Sequence, residues 1–80
     1  MHIYVKRKHI KAGVPGNIHL CPIAKAVREQ LGTTRGVSVE CGEVLVGRTK
    51  FTLPGKAIRF VDMFDLEYNV KPFGFELEEA

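Results

Sequence analysis

All five phenylalanines of the chain, Phe51, Phe60, Phe64, Phe73 and Phe75, fall between residues 51 and 75, and the stretch from Leu53 to Leu77 reads first with a helical and then with a strand period. Aromatic rings remove about 150–250 Å² each from water, so this block supplies the centre of any core the chain can build. A chain of 80 residues buries roughly 60–65% of its unfolded surface, which leaves room for one domain, residues 1–80. The remainder is read as cover for that block.

The chain opens on Ile3-Tyr4-Val5, β-branched and aromatic, a first strand that Lys6-Arg7-Lys8-His9 extends into solvent. Ile10 to Leu20 has no period and contains the Pro15-Gly16 turn, so it reads as a long loop that either packs down or binds. Cys21 at an N-cap and Pro22 at the first helical position then start a helix. Its buried stripe is Ile23, Val27 and Leu31, and Gly32 caps it. After a turn at Thr33 to Gly36, Val37, Val39 and Cys41 alternate as a strand, and Gly42 marks a bulge or a tight turn into Val44 and Val46. Gly47-Arg48 fits a II′ turn leading to Phe51 and Leu53.

Pro54 starts a second helix whose inner face is Ala57, Phe60, Val61, Phe64 and Tyr68, ending near Phe64 or Asp65, with Asn69 turning the chain. Val70 to Leu77 is the last strand, with Phe73, Phe75 and Leu77 on one face, and Glu78-Glu79-Ala80 is expected to fray. The fold class is therefore α+β, in the order β-α-β-β-α-β with room for one extra short strand. Two helices on one face of an antiparallel sheet, as in a ferredoxin-like split βαβ, is the economical arrangement.

Charge is unevenly placed: residues 1–40 carry +5 and residues 41–80 carry −2. The basic front half invites an anionic partner. No apolar run approaches the ~18–20 residues of a membrane span, and two cysteines are too few for a disulfide framework, so a cytoplasmic chain without membrane association is expected.

Several residues could carry chemistry. Cys21, at a helix N-terminus two residues after His19, is the candidate reactive thiol. The spacings of His2, His9, His19, Cys21 and Cys41 do not match a zinc site, no cofactor motif is present, and Gly55-Lys56 lacks the rest of a phosphate-binding loop. A Cys21–Cys41 disulfide would need the first helix start against the second strand. Asp62, Asp65 and Glu67 read as a solvated helix end. Lys6, Arg7, Lys8 and Lys11 are candidate contacts to nucleic acid or to an acidic partner. Val14, Ile18, Leu20, Met63 and Leu66 are apolar residues the two helical stripes do not need, and hence candidate interface residues.

The pattern formed by His9-Ile10 and Gly13, Cys21-Pro22-Ile23-Ala24 and Ala26, Leu53-Pro54, Phe60 and Phe64-Asp65, and Val70, Pro72-Phe73 and Phe75 resembles that of a group of small proteins encoded by bacteriophages. No activity comes with that resemblance, so no catalytic or binding residue is carried over. It implies a setting in which such proteins occupy a surface of a host protein, as inhibitors of CRISPR and other defence systems do. The leading expectation is a non-enzymatic protein that binds a host protein, with a homodimer through an unpaired strand edge also allowed. The alternatives are a nucleic-acid binder using the basic N-terminal strand and, third, a thiol enzyme at Cys21.

Overall fold

Where the sequence suggested an extended basic strand, the chain coils. In the computed structural model, which describes residues 1–32 and 36–80, β1 (His2–Val5) is followed at once by α1 (Arg7–Ala12). The reason is local: the Lys6 amide donates to His9 Nδ1 at 2.9 Å, while the His9 amide donates to the Lys6 carbonyl at 3.0 Å. That exchange does the work of a capping box with His in the place usually held by Glu or Gln. The expected loop from Ile10 accordingly shrinks to residues 13–20.

The second helix, α2 (Pro22–Leu31), starts and stops where expected. Cys21 is its N-cap, and Gly32, at φ 62°, ends it in the left-handed region. Its buried face is Ile23, Ala24, Ala26 and Val27; Leu31 is exposed, so the apolar stripe stops a turn early. Of the turn expected at Thr33 to Gly36, residues 33–35 lie outside the described residues.

Then comes a meander of β2 (Val37–Glu40), β3 (Glu43–Val46) and β4 (Thr49–Thr52). Cys41 (φ 52°) and Gly42 (φ 76°) are both left-handed between the paired residues Glu40 and Glu43, which makes the Gly42 break a two-residue I′ hairpin rather than a bulge. At Gly47-Arg48 only Gly47 is left-handed, as the II′ expectation requires.

Helix α3 (Gly55–Asp65) buries Ala57, Phe60 and Phe64, with Val61 half-buried. It ends in a Schellman motif, the Glu67 amide bonding the Phe64 carbonyl and the Tyr68 amide the Met63 carbonyl, both at 2.9 Å. Glu67, at φ 62°, takes the position usually held by Gly. The chain therefore turns before Asn69, and Tyr68 lies past the helix and is exposed.

Two further strands, β5 (Phe73–Glu76) and β6 (Glu78–Glu79), close the structure. β5 pairs antiparallel with β1 in a two-stranded ribbon, and β6 pairs with β4 at the edge of a four-stranded sheet ordered β2-β3-β4-β6. Leu77 is the switch between them: its amide bonds the Met1 carbonyl at 2.7 Å, and the next residue, Glu78, is already paired with Thr52 of β4. The tail is thus a strand, and the Ala80 amide reaches the Lys50 carbonyl at 2.9 Å.

The class is α+β. The ferredoxin-like arrangement is not what is built: among the described residues there are three helices, and the strands divide into two sheets. One core serves both, joining Ile3, Val5 and Phe75 of the ribbon to Val37 and Val44 of the meander. Helix α2 packs against β1 and β2 and so bridges the two sheets. Phe73 rests between Phe60 and Phe75, with ring centroids 4.7 and 5.5 Å apart.

Candidate functional site

Among the four basic candidates the new helix changes the geometry. Glu29 on α2 gathers Lys8 at 2.5 Å, His9 Nε2 at 3.4 Å and Lys6 at 3.8 Å. Arg7 and Lys11, four residues apart on α1, share an exposed face and form no ion pair among the described residues. Lys8, and more loosely Lys6, thus share the single Glu29 carboxylate, while Arg7 and Lys11 have no such partner among the described residues.

Residues 13–20 pack down. The Val39 amide donates to the Ile18 carbonyl at 2.8 Å, covering the edge of β2, and the Gly16 amide donates to Asp65 Oδ1 at 2.9 Å. Arg28 donates to the His19 carbonyl at 2.6 Å, and Asn17 Oδ1 accepts the His19 and Leu20 amides at 3.0 Å. A loop held in this way still leaves Val14, Ile18 and Leu20 each about two-fifths exposed.

Cys21 is 3% exposed, with its Sγ accepting the Ala24 amide at 3.5 Å. Burial raises the thiol pKa, and the amides of Ala24 and Ile23 oppose this without prevailing. The helix N-terminus therefore does not deliver a thiolate. The His19 ring is engaged elsewhere, with Nδ1 3.3 Å from the Val37 carbonyl oxygen. Cys41, exposed on its hairpin, and Cys21 are both free thiols. Among the described residues no group of three or more His, Cys, Asp or Glu side chains could hold a metal ion, and no helix is long and apolar enough to cross a membrane.

What the structure assembles instead lies around Phe73. Between α3 and the segment leading into β5 runs a groove of about 340 Å³ with Phe60, Met63, Val70 and Phe73 in its lining. Lys56 and Arg59 stand on the helix side and Lys71 on the other. Phe73 also lines a second groove, of about 440 Å³, with Tyr4, Lys6, Arg7 and Pro72. No carboxylate lines either one. Lys56, Arg59 and Lys71, like Arg7, have no ion-pair partner among the described residues.

On a different surface, the cleft beside the Cys41-Gly42 turn contains Glu40 and Asp62 next to Ile58 and Leu53. The surface charges do not follow the polarity along the chain: Lys56, Arg59 and Lys71 come from the half with net negative charge, and Glu40 from the basic half.

Of the five apolar interface candidates, Met63 lines the Phe73 groove, Val14, Ile18 and Leu20 belong to the clamped loop, and Leu66, 70% exposed, sits at the end of α3. Lys56, Arg59 and Lys71 were missed in the sequence. The signal was present for two of them, since Lys56, Arg59 and Met63 recur at i, i+3 and i+7 on one face of α3. Comparison with known protein families, with curated proteins and with solved structures finds no match.

Two exposed carboxylates are held ionised at the ends of the fold. The bond from Lys8, then that from His9, lowers the pKa of Glu29; the bond from His2, then that from the N-terminal amine, lowers that of Glu76, which ties β5 to the start of β1. A carboxylate whose pKa falls on folding contributes stability above its unfolded value near ~4.3 and loses it as pH drops through the folded value. The melting temperature is expected to fall on going from about pH 5 to about pH 3, and less steeply in the Glu29→Gln/Glu76→Gln variant. Thermal melts across that range test this, and equal slopes for the two proteins would refute it.

Proposed function

We propose that this chain is a non-enzymatic binding protein that works through a protein–protein interface, and that the surface around Phe73 is that interface. The setting implied by the resemblance to phage-encoded proteins makes the partner a host protein in the bacterial cytoplasm, including a component of a defence system. What carries the reading is the join of two apolar grooves at Phe73 with cations on their rims and no acid in their linings. Interfaces favour such a combination of aromatic residues, Met and Arg around a dry centre.

The nucleic-acid reading through Lys6, Arg7, Lys8 and Lys11 has less behind it, because Glu29 engages two of the four. The thiol reading has against it the burial of Cys21, which raises the thiol pKa.

Affinity capture with the tagged chain from a nuclease-treated bacterial lysate tests the proposal, with the Arg59→Glu/Lys71→Glu variant as comparison. A protein retained by the wild type and lost by the variant is the expected result. Retention that the variant leaves unchanged, or that nuclease abolishes, overturns it.

A further inference from the structure

We infer, resting on the interface reading above, that the occupant of the Phe73 surface is an acidic peptide segment that inserts a large apolar side chain between α3 and the start of β5. The floor there is apolar and adaptable. Phe60 and Val70 are less than 10% exposed and fixed by the core, whereas Met63, 43% exposed, is unbranched and can settle against side chains of different shape. An apolar group entering this groove removes its own surface and that of Met63 from water together.

The charges set the rest of the occupant. Lys56 and Arg59 rise from the helix, Lys71 stands across the groove, and Arg7 stands on the rim of the adjoining one. Cations spaced along two grooves, rather than converging on one point, match carboxylates spaced along a chain better than a single compact anion. Arg presents a planar fork suited to carboxylate oxygens, so Arg59 and Arg7 are the stronger partners.

Single-stranded nucleic acid is also anionic, but it gains affinity by stacking bases on exposed aromatic faces. At the join of the grooves the aromatic face is largely taken up. The half-buried Phe73 ring lies against Phe60 at 4.7 Å and against Phe75 at 5.5 Å and 25°, which leaves Tyr4, 58% exposed and tilted 60° against His2, as the open ring at the margin of the second groove. What remains open at the join is a slot for a side chain, which a peptide supplies.

Selection of a random 12-residue peptide library displayed against the full chain tests the inference. The expected outcome is a family of sequences in which Asp or Glu flanks a Phe, Leu, Ile, Met or Trp. The best of them, made synthetically, is expected to lose about tenfold in affinity with Arg59→Glu/Lys71→Glu. It should lose a comparable amount with Met63→Asp, and nothing with Lys50→Glu on β4. Its binding should also weaken as salt rises from about 50 to about 300 mM, since exposed charges are screened over that range. Circular dichroism of each variant separates lost binding from lost folding.

Selection that yields no enriched family, or a basic or uncharged one, overturns the inference, as does affinity that the groove variants leave intact. Tighter binding of a 12-mer oligothymidylate through the same residues would assign the surface to nucleic acid, and concentration-dependent self-association abolished by Met63→Asp would assign it to a second copy. If the selection fails while Arg59→Glu/Lys71→Glu still loses a captured protein, the interface stands and only the partner's chemistry is wrong.

Discussion

Phe75→Ala is expected to lower the free energy of unfolding by about 3–5 kcal/mol. Phe75 is fully enclosed and the largest of the fully buried side chains. It lies opposite Ile3 across the β1–β5 ribbon and stacks on Phe73, which in turn lies on Phe60 of α3. Removing the ring forfeits its transfer out of water and leaves a cavity that strands on one side and a helix on the other cannot easily close. A domain of this size has roughly 4–12 kcal/mol in all, so the variant sits at or near the edge of folding. Urea denaturation followed by circular dichroism measures the loss. Phe73→Leu, at a half-buried position, is the companion and is expected to cost about 1–1.5 kcal/mol. A loss below about 1 kcal/mol for Phe75→Ala would mean that the aromatic row does not join the ribbon to the helix.

The position of that row was legible from the sequence because periodicity reports burial: Phe73, Phe75 and Leu77 alternate, and Ala57, Phe60 and Phe64 recur on one helical face. Helix α2 was legible for a different reason. Cys21-Pro22 and Gly32 are strong local signals, and no tertiary contact is needed to read them. What escaped was set by unusual residues in ordinary roles. His9 caps α1 where Glu is customary, so that helix was read as strand; Glu67 turns the chain after α3 where Gly is customary, so the turn was assigned to Asn69 although the helix end at Asp65 was read correctly. The division into two sheets escaped because it turns on Leu77, one residue at which the chain leaves β1 for β4, and nothing in an alternating pattern marks a change of partner.

The candidate site was legible only in parts for a related reason. Arg7 and Met63 were picked out as a basic and an apolar residue, each for its own sake. They line two different grooves that meet at Phe73, and the one that holds Arg7 needs the pairing of Val5 with Phe73, a contact between the two ends of the chain. Lys71, next to Pro72 in what reads as the start of a strand, had no local reason to be noticed.

Gly13→Ala is expected to cost about 1–3 kcal/mol, and for steric rather than conformational reasons. The backbone there has φ −70°, a value that any residue adopts. Space is what is lacking: a Cβ would lie 2.7 Å from both Cγ and Cδ of Pro22 and 3.0 Å from the His9 carbonyl oxygen. Neither neighbour can yield. The Pro22 ring is buried and fixed at the first position of α2, and the His9 carbonyl belongs to α1, so the two helices must separate. This close approach also gives a physical meaning to the motif His9, Gly13, Cys21 and Pro22: a cap, a gap, a cap and the ring that fills the gap. Gly36→Ala is the control, since its Cβ would meet nothing and its backbone is not left-handed; it should change stability by less than about 0.5 kcal/mol. In a double-mutant cycle with Pro22→Ala, the cost of Gly13→Ala should shrink, because the atoms it collides with are gone. Equal costs with and without the Pro22 ring would show that the contact between α1 and α2 does not depend on this gap.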